Sequence, residues 1–241
     1  MGRQGFYLRR LSLIDSSGME RLLLKNPHNS QGGFWLSYIH NGKVQFARAI
    51  EGETYSQPRV VNTRGGATVE FNHTPRDAEA PVMSLRISLW SLDSPVLLMQ
   101  HTSTNLTNTE IEDLRVYGLM DFDLGGPHSY KDDSGFVDPE TRVATLCDAT
   151  PLWVTLASRP KPDGWDITAP TRLRLGRSRR DLQQNSACGP QDVAAALQWN
   201  LGTLAPGQTV SIDLVMAAGE TEDHVRKETA RAWEIFAEKI R

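Results

Sequence analysis

The stretch Val-Leu-Leu-Met-Gln-His-Thr-Ser-Thr-Asn-Leu-Thr-Asn-Thr-Glu-Ile-Glu-Asp-Leu-Arg-Val-Tyr-Gly-Leu-Met-Asp-Phe-Asp, residues 96–123, decides the fold. It opens on four apolar residues, passes through a polar, turn-rich run from His101 to Glu110, and then alternates. Leu114, Val116, Gly118, Met120 and Phe122 fall on one side, and the run closes on Asp121 and Asp123. Side chains of an extended strand point to opposite faces in turn, so the stretch predicts two strands, residues 96–100 and 114–123, joined by a polar crossover. Carboxylates at the end of the second strand place a candidate site at the rim of a large antiparallel sandwich.

The same period recurs outward along the chain. Residues 33–50 read as a hairpin around Asn41-Gly42, the pair that supplies the two positive-φ residues of a type I′ turn. That turn sets a register with Ile39 opposite Val44 and Ser37 opposite Phe46. One face then carries Trp35, Ile39, Val44 and Phe46, and the other Phe34, Leu36, Tyr38, Ala47 and Ala49. Two apolar faces predict a sheet covered on both sides. Further strands are expected at residues 67–71, 83–90, 142–147, 152–158, 172–175, 193–201 and 210–216, each bounded by Pro, Gly, Asn or Asp. The end of the chain changes period. Thr221 can cap a helix over about 221–240, with Glu222 and Asp223 at its positive end, Lys239 and Arg241 at its negative end, and an apolar stripe of Val225, Ala232, Trp233, Phe236 and Ile240. The expectation is an all-β chain, one large antiparallel β-sandwich over residues 1–241 with a C-terminal α-helix.

Composition narrows the function. A net charge of −3 over 241 residues gives no global field for nucleic acid or an anionic membrane. The apolar runs are far shorter than the roughly 20 residues of a membrane span. Ser12, Asp15, Ser16 and Ser17 interrupt any apolar leader core, which makes the cytoplasm the default expectation. Cys147 and Cys188 are too few for a disulfide framework and lack metal spacing, so they read as buried thiols. No cofactor loop and no metal-ligand spacing is present. Asn72-His-Thr and Asn105-Leu-Thr match the glycosylation triplet by chance.

Several stretches together carry a family resemblance: Pro95-Val-Leu-Leu-Met-Gln, Thr104-Asn-Leu-Thr-Asn-Thr, Tyr117-Gly-Leu-Met-Asp-Phe-Asp, Asp132-Asp-Ser-Gly-Phe-Val-Asp-Pro-Glu-Thr, Trp165 and Leu204-Ala-Pro-Gly-Gln-Thr-Val. Over about residues 80–220 the order of strands and turns resembles the β-supersandwich of galactose-mutarotase-like proteins and of the amino-terminal domains of glucoamylase-type glycoside hydrolases. The resemblance implies carbohydrate biology. It transfers no catalytic residue, because the histidines here do not align with the mutarotase acid and base, and the sequence has no room for the helical barrel that carries the hydrolase carboxylates.

The candidate residues fall into four groups. Asp121, Asp123, His128, Tyr130, Lys131, Asp132 and Asp133 cluster around Gly125-Gly126-Pro127. Carboxylates near a histidine can transfer protons once burial raises one pKa, and the same composition also makes a solvated turn. The spacing is not that of a Ca²⁺ loop. His101 and His73 stand in polar connections, where a surface position is expected; with Asp121, Asp123 or Glu110, His101 or His128 are the pairs that could serve an anomer-interconverting enzyme. Among six tryptophans, Trp35, Trp90, Trp153 and Trp199 lie in expected strands and belong to the core, whereas Trp165, in the turn Pro162-Asp163-Gly164, could stack on a sugar beside Asp132 and Asp133 as ligand contacts. Arg172, Arg174, Arg177, Arg179 and Arg180 read first as a solvated strand face and second as an anion or protein contact. The resulting expectation is a non-catalytic module that binds a carbohydrate or protein partner and no nucleic acid or membrane. The alternatives are a sugar-active enzyme of the mutarotase or epimerase type, or a structural, oligomer-forming protein if the helix stripe is exposed.

Overall fold

The computed structural model describes residue 8 and residues 10–25, 33–49, 54–91, 94–126 and 129–239. Ile50, Pro127, His128, Ile240 and Arg241, each within the readings above, lie outside the described residues. The chain opens with the hairpin β1 (Arg10–Ile14) and β2 (Glu20–Lys25), followed by β3 (Gly33–His40) and β4 (Lys43–Ala47). Next come β5 (Arg59–Thr63), β6 (Gly66–His73), β7 (Met83–Ser91), β8 (Val96–Asn105) and β9 (Ile111–Phe122). Five shorter strands follow: β10 (Ser134–Val137), β11 (Ala144–Cys147), β12 (Trp153–Arg159), β13 (Gly164–Thr168) and β14 (Ala187–Cys188). The long pair β15 (Val193–Leu204) and β16 (Thr209–Gly219) leads into α1 (Glu222–Lys239).

Two antiparallel sheets face one another. Nine strands make the larger, in the order β14-β10-β11-β12-β16-β8-β7-β6-β5, and five make the smaller, β13-β15-β9-β3-β4. The inward side chains of both build one core, with Leu114, Val116, Met120 and Phe122 of β9 meeting residues such as Leu85, Ile87, Met99, Leu214 and Met216 of the large sheet. Each such buried side chain contributes about 1.5–3 kcal/mol. Gly118 breaks the apolar run of β9 for a reason of space: a Cβ there would stand 3.2 Å from the Trp199 ring. Trp199 is fully buried and its indole N–H donates to Ser158 Oγ and Pro160 O, both at 3.1 Å.

The hairpin register is the one expected, Ile39 opposite Val44 and Ser37 opposite Phe46. Both faces of the small sheet are covered, the inner by the core and the outer by Leu173, Leu175 and Leu182, which pack on Trp35, Tyr117 and Leu119. Ala49, expected on the face of Phe34, Leu36 and Tyr38, packs instead with this outer cluster because the chain leaves the strand after Ala47. Residues 172–175, expected as a strand, instead begin in a 3₁₀ turn (Pro170–Arg172) and run on as chain outside any strand. Their side-chain alternation holds nonetheless, with Leu173 and Leu175 buried and Arg172 and Arg174 exposed.

The polar run after Met99 is the largest departure. β8 does not stop at Gln100 but runs on to Asn105. Thr102 and Thr104 face outward and bond Ser211 and Thr209 of β16 at 3.2 and 2.9 Å. His101, Ser103 and Asn105 face inward and are buried. Asn105 holds the crossover to the small sheet: its amide donates to Thr109 O and Leu204 O, and its Oδ1 accepts the Thr107 N–H at 2.8 Å.

The helix covers part of the outer face of the large sheet, where Ala232 and Phe236 pack on Val96, Leu98, Val215 and Ala217. Thr221 Oγ1 accepts the His224 N–H at 3.1 Å, which caps the first turn. Trp233 is half-buried beneath the Arg159 guanidinium, 4.3 Å from its ring. The stripe is therefore spent on the chain's own sheet. Trp35 is buried as expected, but Trp90 and Trp153 are only half-buried. Cys147 and Cys188 are free and also half-buried rather than enclosed. Among the described residues no helix is long and apolar enough to cross a membrane.

Candidate functional site

β9 carries Asp121 onto the outer face of the small sheet and delivers Asp123 into the turn that follows. That turn is strapped to β2 by the Asp123 N–H to Leu23 O and the Gly125 N–H to Leu22 O, at 3.2 and 3.0 Å. Gly125 takes a φ of 72° beside the Asp148 carboxylate and the Ser129 hydroxyl, where a Cβ would stand 2.8 Å from each. Asp133 is fully buried and accepts the Leu124 N–H at 3.3 Å, and Asp148 accepts the Ser129 hydroxyl at 2.9 Å. Asp192 adds a fifth carboxyl just before β15.

Burial, with Asp192 and Asp123 nearby, pushes the Asp121 carboxyl up to about 7. Burial also dominates at Asp133; the Leu124 N–H opposes it, but Asp148, Asp123 and Asp192 add to it, and the carboxyl is pushed up to about 8. A carboxyl shut away from water among other carboxylates holds its proton. The sequence therefore brings Asp121, Asp123 and Asp133 together as an acid rim. Asp132, by contrast, ends the 3₁₀ turn Tyr130–Asp132 exposed, so its side chain and that of Asp133 part company. Among the described residues no three Asp, Glu, His or Cys side chains are placed to hold a metal ion.

His101 does not join the rim. It lies inside the sandwich, its ring centroid 4.8 Å from that of Phe34 and its Nε2 2.9 Å from Ser103 Oγ, and burial pushes its pKa down to about 3. The small sheet stands between it and Asp121. The expected surface position of both histidines is thus corrected, since His73 is buried as well. Trp165 is not in a turn but in β13, opposite Leu197, because the chain re-enters the ladder at Gly164. Its indole is half-buried, its N–H donates to Ser186 Oγ at 3.1 Å, and Arg142 lies 5.9 Å over its ring.

A second region gathers only two of the residues the sequence singles out as candidates, His73 and Arg177. Among the described residues β4 is an edge of the small sheet, and a recess of about 710 Å³ opens along it. Its buried polar lining is Gln45, which faces inward opposite Tyr38, and His73, which ends β6. The Tyr38 hydroxyl lies 2.8 Å from His73 Nδ1. Burial pushes His73 down to about 4 and holds the Tyr38 hydroxyl well above its usual range, so both are neutral at pH 7. Exposed Asp77 accepts from Lys43 Nζ at 3.1 Å and Gln45 Nε2 at 3.2 Å, and the Lys43 contact keeps its carboxyl below the usual range. Phe46 lines it from the other face of β4, its half-buried ring packed beside Trp35 and Tyr117, and Arg48, Arg76 and Arg177 line the remaining wall. With Lys43, the described residues of the lining include four cations and one carboxylate.

The arginine patch divides between these roles. Arg177 reaches the recess, whereas Arg180, read from sequence as solvated, is an anchor. Its guanidinium bonds Ser37 Oγ at 2.7 Å and both the carboxylate and the backbone carbonyl of Asp113, while the Tyr117 hydroxyl donates to its carbonyl at 2.7 Å. Partial burial alone would raise the Asp113 pKa, but Arg115 and Arg180 hold it below its usual range. These bonds fix the segment over the small sheet. One signal for the recess was present in the sequence: the Asn41-Gly42 register turns Gln45 toward an otherwise apolar interior, and a polar residue there needs a partner.

No protein-family model matches the sequence, and no curated protein matches it either. Solved structures do match in fold. A GalM/aldose epimerase homologue from C. elegans superposes with a TM-score of 0.55 at 10% identity, over 90% of this chain and 93% of that one. A protein from the human microbiome assigned as a kojibiose phosphorylase matches with a TM-score of 0.51 at 12% identity, over 84% of this chain and 25% of that longer one. Together with the two facing antiparallel sheets, these matches give the chain the galactose-mutarotase-like β-supersandwich fold, which is found in carbohydrate-active proteins.

Proposed function

We propose that this chain is a non-catalytic carbohydrate-binding module whose saccharide sits in the recess along β4. The observation that carries this reading is the recess lining itself, which joins one aromatic ring, Phe46, to Gln45, His73 and Asp77 and to four cations. A pyranose offers an apolar face and a rim of hydroxyls. An aromatic ring suits the first, and fixed donors and acceptors suit the second. The volume falls within the roughly 300–1,000 Å³ of small-molecule sites. Proton-transfer chemistry favours groups that titrate near the working pH. Neutral His73 and ionised Asp77 keep their charge states around pH 7, which suits holding a sugar rather than turning it over.

The test is a titration with a panel of neutral, amino and acidic mono- and disaccharides, followed by NMR. Binding should shift the amide signals of residues 43–48 and 73–77, and Phe46→Ala should weaken it about tenfold, the value of about 1.4 kcal/mol of lost ring contact. A panel that leaves those signals in place removes the proposal. The acid rim supports a second reading, a sugar-active enzyme, because Asp121 at about 7 and Asp133 at about 8 titrate where general acids and bases work. That reading requires the protein to speed aldose anomer interconversion and Asp121→Asn or Asp123→Ala to slow it.

A further inference from the structure

We infer that His73 meets the saccharide as a fixed hydrogen-bond donor through its Nε2–H, and Gln45 as a fixed acceptor through its Oε1, so that the recess selects sugars by which of their oxygens accept and which donate. This rests on the recess being the saccharide site proposed above. Tyr38 sets the first of the two roles. Its hydroxyl is buried and, among the described residues, bonds only His73 Nδ1, at 2.8 Å. If the phenol donates, both atoms are satisfied, whereas a proton on Nδ1 would leave the phenol O–H buried without an acceptor. His73 is neutral through burial and so carries one ring proton, which this bond assigns to Nε2. Nε2 has no partner among the described residues, and His73, only 1% exposed, lines the recess. A ligand oxygen with a lone pair is what satisfies that N–H.

Asp77 sets the second role. Its carboxylate, ionised beside Lys43, can only accept, so the Gln45 atom 3.2 Å away is the amide nitrogen and not the carbonyl oxygen. Gln45 Oε1 is thereby turned from Asp77, and among the described residues it has no donor. Gln45 is buried in the same lining. A hydroxyl can play either part, but a ring oxygen only accepts and an ammonium only donates. Tyr38 stands behind the imidazole, outside the lining, and is a positioning residue that acts through His73.

The experiment takes two readings on the full chain at pH 7. Imidazole nitrogen NMR shifts, with His73 assigned by its absence in His73→Asn, should show Nδ1 as the unprotonated nitrogen of the free protein. Tyr38→Phe should move that Nδ1 signal, because the nitrogen loses the hydrogen bond it accepts. Calorimetric titration then compares D-glucose with its monodeoxy and monodeoxyfluoro analogues, where fluorine keeps a weak acceptor and removes the donor, and hydrogen removes both. At the position that meets His73, the deoxy sugar should bind about tenfold more weakly than glucose, with the fluoro sugar between them; at the position that meets Gln45, both analogues should lose about tenfold. Gln45→Met should erase the second loss and leave the first. A protonated Nδ1 overturns this inference, as do fluoro sugars no better than deoxy sugars at every position, and glucose binding that still shifts residues 43–48 then leaves the saccharide site standing. Silence from glucose and all its analogues, with Nε2 protonated as expected, overturns the saccharide site and the selection that depends on it.

Discussion

The recess along β4 and the acid rim behind β9 divide between them two properties that an active site combines. Burial acts in the same direction in each, against charge, so that His73 in one and Asp133 in the other are both neutral at pH 7. The neighbours then decide the outcome. Carboxylates around Asp121 and Asp133 push both toward neutral pH, whereas Lys43 beside Asp77 pushes that carboxyl away from it. Groups tuned for proton transfer thus sit at the rim, with Asp133 wholly shut from water, while the recess offers space lined by groups of fixed charge. The comparison teaches that perturbed pKa values alone do not mark the place where a ligand enters.

The largest way to break this comparison is to loosen the segment that carries Arg177. Arg180 has only 11% of its side chain exposed, and Arg180→Ala leaves Asp113 and Ser37 without it. A loss of about 2 kcal/mol is expected, between the values for exposed and buried pairs, because Asp113 is partly exposed and keeps Arg115. Thermal denaturation should show the loss and saccharide affinity should fall with it, while the alkaline behaviour of the rim stays unchanged. A variant as stable as the parent would show that the segment is held by Leu173, Leu175 and Leu182 alone.

The two regions should also pull stability in opposite directions with pH. Asp133 has a folded pKa of about 8, above an unfolded value of about 3.9, so the folded state binds the extra proton between them. Its stabilisation is complete below about pH 4 and is lost as pH rises toward about 8. His73, at about 4 folded and about 6.5 unfolded, does the reverse: its stabilisation is complete above about pH 6.5 and is lost as pH falls toward 4. Tm should therefore decline by several degrees on either side of a maximum near pH 6. Asp133→Asn should flatten part of the alkaline side, because Asp121, at about 7, contributes there too, and His73→Asn should flatten only part of the acid side, because His101 does. An alkaline decline unchanged by Asp133→Asn and Asp121→Asn together would assign it to another group.

Smaller effects sharpen the recess. Tyr38→Phe removes the buried bond to His73 and should cost about 1 kcal/mol in a denaturant melt. Asp77→Asn removes an exposed partner of Lys43, and stability should change by less than about 1 kcal/mol. Saccharide affinity should nevertheless fall, since the lining loses an ionised acceptor for sugar hydroxyls. An unchanged affinity would show that Asp77 does not contact the ligand.

Much of the sandwich is legible as period two. Asn41-Gly42 fixes a register found to the residue, β15 and β16 alternate as written, and Thr221 caps the helix it announces. The second half of β8 is not legible in the same way. His101, Ser103 and Asn105 point in while Thr102 and Thr104 point out, and with polar residues on both faces hydropathy shows no alternation. β10, β13 and β14 are short, and their neighbours are set by distant segments, as when Gly135 pairs with both Leu146 and Cys188. The rim was legible because Asp121, Asp123 and Asp133 are close in sequence. The recess was not, because it assembles the β3–β4 hairpin, residues 73–77 and Arg177 from across the chain, and no local spacing records that meeting.

The most direct measurement is a single NMR experiment on an equilibrium mixture of glucose anomers, recording at once saturation transfer from the protein and magnetisation exchange between the α and β forms. Binding in the recess without turnover predicts saturation transfer that Phe46→Ala diminishes, with anomers exchanging at the rate seen in buffer. Exchange that accelerates in proportion to protein, and slows when Asp121 becomes Asn, would contradict it and move the function to the rim.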